Sequence, residues 1–221
     1  RYGIPDFRLP PSTIDRYEEK LHMLGIHIRP NTTIGGALSV DDLFRDGYEA
    51  IFMGTGAWRA KTLGIHGETL GNCHYAVDYL KNPDVYHLGD RVAIIGSGNS
   101  AMDAARTAVR KGSRYVTIYA RRNGISASER ELEYALADGC EIQYAKGIHS
   151  LTPEGPMMYD RVFDEEQNLI SEGEPYLIPA DSIVIAASQA AKDKIVRTTT
   201  GITLNEKGLV KVDENGMTER E

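Results

Sequence analysis

Six consecutive residues, Gly96-Ser97-Gly98-Asn99-Ser100-Ala101, carry the clearest chemistry in the sequence. Glycine in the first place permits a tight turn, and glycine in the third lets a ligand approach the backbone with no Cβ in the way. A small residue in the sixth place lets the following helix press onto a sheet. Such a turn, opening a helix, offers free amides at the positive helix end, where an anion is stabilised. Ser97, Asn99 and Ser100 add side-chain donors. The pattern predicts a seat for the pyrophosphate of a dinucleotide; a glycine turn that serves chain geometry alone is the competing reading.

The residues farther on select the nucleotide. About 20 residues past the glycines, units that bind NAD place an acid that accepts from the ribose 2′-hydroxyl and repels a 2′-phosphate. Here the corresponding place reads Tyr119-Ala120-Arg121-Arg122, with no acid. Paired guanidiniums suit a phosphate dianion, which they can bind bidentately. Arg130, just inside the next helix, is a third candidate. NADP(H) is therefore the expected cofactor, with a solvated basic turn as the alternative.

These residues need a β-α-β unit to hold them. Val92 to Ile95 is a short apolar run suited to a parallel strand covered on both faces. On the helix after it, Ala101, Ala105 and Ala108 share one face, with Arg106, Arg110 and Lys111 expected to point elsewhere. Tyr115 to Ala120 alternates as a second strand, which a right-handed crossover makes parallel to the first. Ser128 and Glu131 have capping-box spacing for a further helix with Leu132, Ala135 and Leu136 inward. Asp103 reads as a solvated helix residue, and Glu129, Glu131 and Glu133 as an acidic first turn. Glu141 to Ala145 gives a third strand, Ile148 to Pro179 an antiparallel meander, and Asp181 to Ala187 another buried strand.

Upstream, Ser12 or Thr13 caps a helix carrying Ile14, Tyr17, Leu21 and Leu24, and Gly25 ends it. Short strands are expected at Ile26 to Arg29 and Tyr48 to Met53, with helices from Ser39 through Phe44 and from Tyr75 to Leu80. Val210 to Val212 is strand-like. The fold class is α/β: a Rossmann-like parallel sheet with an antiparallel β-meander insertion.

The 221 residues include about a quarter charged and carry a formal net charge of −7. That composition fits one large or two small globular domains and argues against nucleic acid, whose affinity rests on clustered Lys and Arg. The longest apolar runs fall far short of the roughly 18 residues a membrane span needs, so no membrane is expected. Cys73 and Cys140 form no C-x-x-C, and the six histidines show no ligand spacing, so neither a redox dithiol nor a metal site is spelled out. Reduced thiols fit a cytoplasmic protein. The chain opens at Arg1 without Met and stops in a charged run, which reads as a piece of something longer.

Together, Gly3-Ile4-Pro5-Asp6-Phe7-Arg8-Leu9-Pro10, Gly54-Thr55-Gly56-Ala57, Gly96 to Asp103 and Tyr119 to Arg122 resemble the small subunit of bacterial glutamate synthase. That subunit and its relatives belong to the pyridine nucleotide-disulfide oxidoreductase superfamily. The resemblance implies an NADPH domain inserted into an FAD domain. On that pattern residues 1–83 are a partial FAD-domain flank and crossover, 84–189 the NADP(H) domain, and 190–221 a return segment. It implies hydride transfer from NADPH to FAD and onward to an iron-sulfur domain or larger oxidoreductase subunit, with no catalytic acid or base required of this chain. With both end motifs for FAD outside it, the chain alone is expected to hold flavin poorly and to be inactive. An NADP(H)-sensing module without turnover is the other reading of the same pocket. Ala187-Ser188-Gln189-Ala190-Ala191 departs from the pattern, since relatives often have Gly before the Gln and Pro after it.

Overall fold

The computed structural model describes residues 2–206 and 208–220. Along the chain come α1 (Pro11–Met23), α2 (Val40–Arg45), β1 (Arg59–Ala60), β2 (Cys73–Tyr75) and α3 (Ala76–Tyr79). After a 3-10 turn over Pro83–Val85 come β3 (Arg91–Ile95), α4 (Asn99–Arg110), β4 (Tyr115–Tyr119), α5 (Glu129–Ala137) and β5 (Glu141–Gln143). They are followed by β6 (Lys146–Thr152), β7 (Gly155–Phe163), β8 (Leu169–Glu172), β9 (Tyr176–Leu177), β10 (Ser182–Ile185), β11 (Gln189–Ala190) and α6 (Lys194–Arg197). Two compact units result, one of residues 1–14 with 60–188 and one of 15–59 with 189–221.

In the first unit, β2, β10, β3, β4 and β5 lie side by side in that order, every neighbouring pair parallel. Successive side chains of a strand face opposite sides, and the two faces of this sheet are covered differently. Val92 and Ile94 of β3, with Val116 and Ile118 of β4, pack against Ala101, Met102, Ala105 and Ala108 of α4. Ala93 and Ile95, with Tyr119 of β4 and Ile183 and Ile185 of β10, meet Leu151 of β6 and Met158 of β7. An antiparallel sheet thus fills the place a second helical layer takes in many doubly wound folds. The expected meander is present, with one refinement. β7 pairs β6 along one edge, while β8 (at Arg161–Phe163) and β9 (at Met157 and Met158) pair its other edge in succession.

The charged residues of α4 and α5 depart from the expectations. Arg106, Asp103 and Glu131 are buried, at 6%, 4% and 7% exposure. They lie in an ion-pair network reaching Arg8, whereas Asp103 was expected to be solvated, Arg106 to point away from the apolar face and Glu131 to serve the first turn of its helix. Because Glu131 is engaged there, the Ser128 capping box does not form; Ser128 makes no side-chain cap bond. Leu136 is 51% exposed, not inward.

In the second unit, α2 starts at the expected cap, with the full capping box between Ser39 and Asp42. Arg220 pairs with Asp41, and α6 packs so closely on Gly35 that a Cβ there would lie 2.8 Å from the Ile195 Cα. The strands expected at Ile26 to Arg29 and Tyr48 to Met53 do not form. A strand needs a ladder partner and cover for its side chains. Neither segment has a named partner strand among the described residues, and Phe52 stands 96% exposed. Val210 to Val212 contributes only an isolated bridge, Leu204 to Val210.

Candidate functional site

β3 ends at Ile95 and the chain turns through Gly96, Ser97 and Gly98 into α4. Gly96 has φ +140°, and a Cβ there would sit 2.5 Å from the carbonyl oxygen of Ala186, just past β10. Its glycine is therefore required by the protein itself. Gly98 differs: it is the N-cap at φ −90°, ψ 177°, a conformation any residue adopts. A Cβ there would meet only Ser126 Oγ, at an ordinary 3.5 Å. Neither backbone nor packing demands glycine at 98, whereas an occupant pressed against the backbone would.

No side chain caps α4; the Ala101 amide donates to the Gly98 carbonyl at 2.9 Å, and the amides of Asn99 and Ser100, which have no partner inside the helix, remain for an anion. Asn99 and Ser100 are its first two residues, and Ala101 is buried against the sheet. The turn is stapled to the loop after β4. The Ser97 carbonyl accepts from the amides of Ser126 (2.9 Å) and Ala127 (2.8 Å), and Asn99 Oδ1 accepts from the Ser128 amide at 3.0 Å. One Asn99 function is thus structural. Ser97 and Ser126 hydroxyls stand 3.5 Å apart. Ser126 escaped the sequence reading because its role depends on a loop folding back across some 30 residues.

Arg121 and Arg122 open that same loop, and both are exposed. Their backbone is fixed from the meander side: the Arg122 carbonyl accepts from the Ala145 amide at 3.1 Å, and the Arg121 carbonyl from Arg161 Nη1 at 3.4 Å. No ion pair or hydrogen bond engages either guanidinium among the described residues. Arg130 is exposed in the first turn of α5, its Nε donating to the Tyr134 hydroxyl at 3.1 Å with the guanidinium over that ring. The structure thus places Gly96 to Ala101 and the loop bearing Arg121 and Arg122 together, and occupies Arg130 locally.

β3 lies between β4, reached through α4, and β10, which returns on its other side. Strand order reverses at this point, and in open α/β sheets ligands lie in the crevice beyond the strands' carboxyl ends at such a reversal. A cavity of about 550 Å³ lined by Asn72, His74, Tyr86, His87, Asp181 and Ser182 sits instead at the amino ends of β2, β3 and β10. It lacks the topology of a cofactor site. Among the described residues no His, Cys, Asp and Glu cluster could hold a metal ion. The Cys73 thiol is pushed up to about 11 by burial and by Glu68. Burial, with Asp138, pushes Cys140 to about 11. Burial thus disfavours the reactive thiolate form of both. No helix among the described residues is long and apolar enough to cross a membrane.

The chain resembles known proteins in sequence and in fold. The chain is 28% identical to the small chain of NADPH glutamate synthase from Halomonas elongata, over 97% of this chain and 51% of that one. It is 32% identical to the same-named protein of Azospirillum brasilense, over 70% and 34%. The chain thus spans about half the length, or less, of these curated relatives. A 2-naphthoyl-CoA reductase structure superposes with TM-score 0.67 at 18% identity, covering 89% of this chain and 28% of that one, a likeness of fold. Residues 34–221 match the family described as pyridine nucleotide-disulphide oxidoreductase, to which this chain, an α/β protein of a family of oxidoreductases, belongs.

Proposed function

We propose that the chain binds NADPH with the pyrophosphate across Gly96 to Ala101 and the 2′-phosphate against Arg121 and Arg122, Arg130 being a further candidate contact. In the intact protein it is part of a flavin-dependent oxidoreductase that passes hydride from NADPH to FAD and on to iron-sulfur or partner-subunit acceptors in the cytoplasm. The observation that carries this reading is Gly98, a glycine without a reason inside the protein, at an uncapped helix start. The two unengaged guanidiniums next to it supply the preference for the phosphorylated nucleotide. The name "small chain" of the relatives supports a partner subunit.

Flavin, when bound, supplies the two-electron acceptor; the chain's part is to hold the dinucleotide. The described residues do not assemble an FAD cradle by themselves. Gly54 to Ala57 follows a segment without strand pairing, and Phe52 stands out in solvent. In residues 15–59 and 189–221 the only buried hydrophobic residues among those described are Val40 and Ile202, whereas Tyr48, Phe52, Trp58, Leu209 and Met217 are exposed. So few buried apolar side chains beside several exposed ones fit segments that complete their core against other parts of the intact protein. This supports these segments as flanks of an FAD domain in the intact protein.

The test is a titration of NADPH and NADH against the wild-type chain and the Arg121→Ala/Arg122→Ala variant. Losing charged hydrogen bonds costs roughly 1.5 to 3 kcal/mol each. NADPH affinity is therefore expected to fall at least tenfold while NADH affinity is unchanged. Equal weakening of both would refute the 2′-phosphate assignment. Dye reduction by NADPH in the intact flavoprotein separates turnover from mere sensing.

A further inference from the structure

We propose that Arg8 is a positioning residue of the dinucleotide site: it cancels the buried charge of Asp103 so that the start of α4 stays attractive to a pyrophosphate. The inference rests on the NADPH reading above. Asp103 is the fifth residue of α4, about 7.5 Å along the axis from the Gly98 cap. Its side chain is 5% exposed. One carboxylate oxygen receives Arg8 Nη1 at 2.6 Å, and the other, Oδ1, is buried with no hydrogen-bond partner. A carboxylate so placed opposes the positive end of its own helix and repels any anion bound there.

The surrounding charges show why Arg8 decides the balance. Arg8 Nε also pairs with Glu131 at 3.1 Å, and Arg106 pairs with Glu131 at 3.3 Å and Asp138 at 2.8 Å. Arg110 pairs with Asp138 at 3.0 Å. Three arginines thus face three carboxylates along α4, from Asp103 near its start to the partly exposed Arg110–Asp138 pair at its end, and removing Arg8 leaves the carboxylates one charge in excess, with the buried Asp103 without its ion-pair partner. Burial raises the Asp103 pKa, and the largest opposing influence is Arg8. Phe7 holds the segment in place, its ring 4.5 Å from the guanidinium carbons of both Arg106 and Arg110. Arg8 therefore acts through Asp103 on the anion site without being called on to touch the ligand.

The experiment is NADPH titration, at one ionic strength, of the chain carrying Arg8→Gln, Asp103→Asn or both. Arg8→Gln is expected to weaken NADPH about tenfold. The double variant, with charge balance restored, is expected to bind within about threefold of wild type. A merely structural role would leave the double variant as weak as Arg8→Gln, and that result overturns the proposal. Asp103→Asn is nearly isosteric and leaves Arg8 in excess, so it is expected to tighten NADPH severalfold; unchanged or weaker binding overturns the proposal even where the Arg8 variants do not fold. Failure of the parent reading looks different: wild type would not bind NADPH, or Gly98→Ala would bind it as wild type does.

Discussion

The two glycines of the turn should respond oppositely to one added methyl group. At Gly98 the methyl meets only Ser126 Oγ, at 3.5 Å, and the backbone needs no adjustment. Alanine is a poorer N-cap than glycine by about 0.5 to 1 kcal/mol. Restricting the unfolded chain offsets this by about 0.4 to 1 kcal/mol. The net stability change is thus about zero, yet the methyl occupies the space assigned to the pyrophosphate, and NADPH affinity should fall at least tenfold. At Gly96 the methyl must share φ +140° with an alanine backbone and lie 2.5 Å from the Ala186 carbonyl oxygen. Backbone strain of about 1 to 3 kcal/mol and overpacking of similar size give a destabilisation of about 4 kcal/mol. For a chain of this size that lowers the Tm by about 8 to 16 °C. Thermal unfolding and fluorescence titration with NADPH read the two effects separately. A Gly98→Ala chain that is stable and binds NADPH normally would refute the site, and one as unstable as Gly96→Ala would refute the structural distinction between the two positions.

Ser188 holds φ +136° without being glycine, a cost of about 1 to 3 kcal/mol; Ser188→Gly is expected to raise stability by about 1 kcal/mol in denaturant unfolding, and a decrease would contradict the strain. Burial of Glu68 would raise its pKa, but the backbone amides of Ile65 and Leu63 and the Tyr75 hydroxyl outweigh that and hold it below the usual carboxylate range. A depressed folded pKa contributes stability that is complete above the unfolded value of about 4.3 and is lost as pH falls through the folded value. Glu68→Gln should therefore lower stability at pH 7 and flatten its decline below pH 4.5; an unchanged acid limb in unfolding curves would show that Glu68 does not contribute it.

What could be read from the sequence follows the range of the forces involved. The stretch from β3 to β4 was legible because its signals are local: an apolar run, a glycine turn, alanines at helical spacing, then an alternating strand. The charges on α4 were misread for the converse reason. Arg106 and Asp103 have the spacing of solvated helix residues, and only Arg8, Glu131 and Asp138, arriving from distant parts of the chain, give them partners that make burial tolerable. Tyr48 to Met53 has the composition of a buried strand, but composition cannot supply the neighbour that makes a strand; lacking one among the described residues, the segment is irregular. The Gly-before-Gln position foreshadowed Ser188, since the departure from the family pattern falls at a backbone conformation that favours glycine.

The meander accounts for why the site is held from two directions. A strand such as β3, buried on both faces, presents Ile94 to α4 and Ile95 to the antiparallel sheet, so both layers must be present before the turn after Ile95 is fixed. The α4 side sets the glycine turn through Ala101 and the loop staples at Ser97. The meander side sets the arginine pair, because Ala145, at the junction of β5 and β6 with φ +54°, donates to Arg122, and Arg161 of β7 donates to Arg121. The exposed side chains proposed to read a 2′-phosphate therefore stand on a backbone that two separate layers hold in place. Affinity gains from such preorganisation, because little backbone entropy remains to be lost on binding.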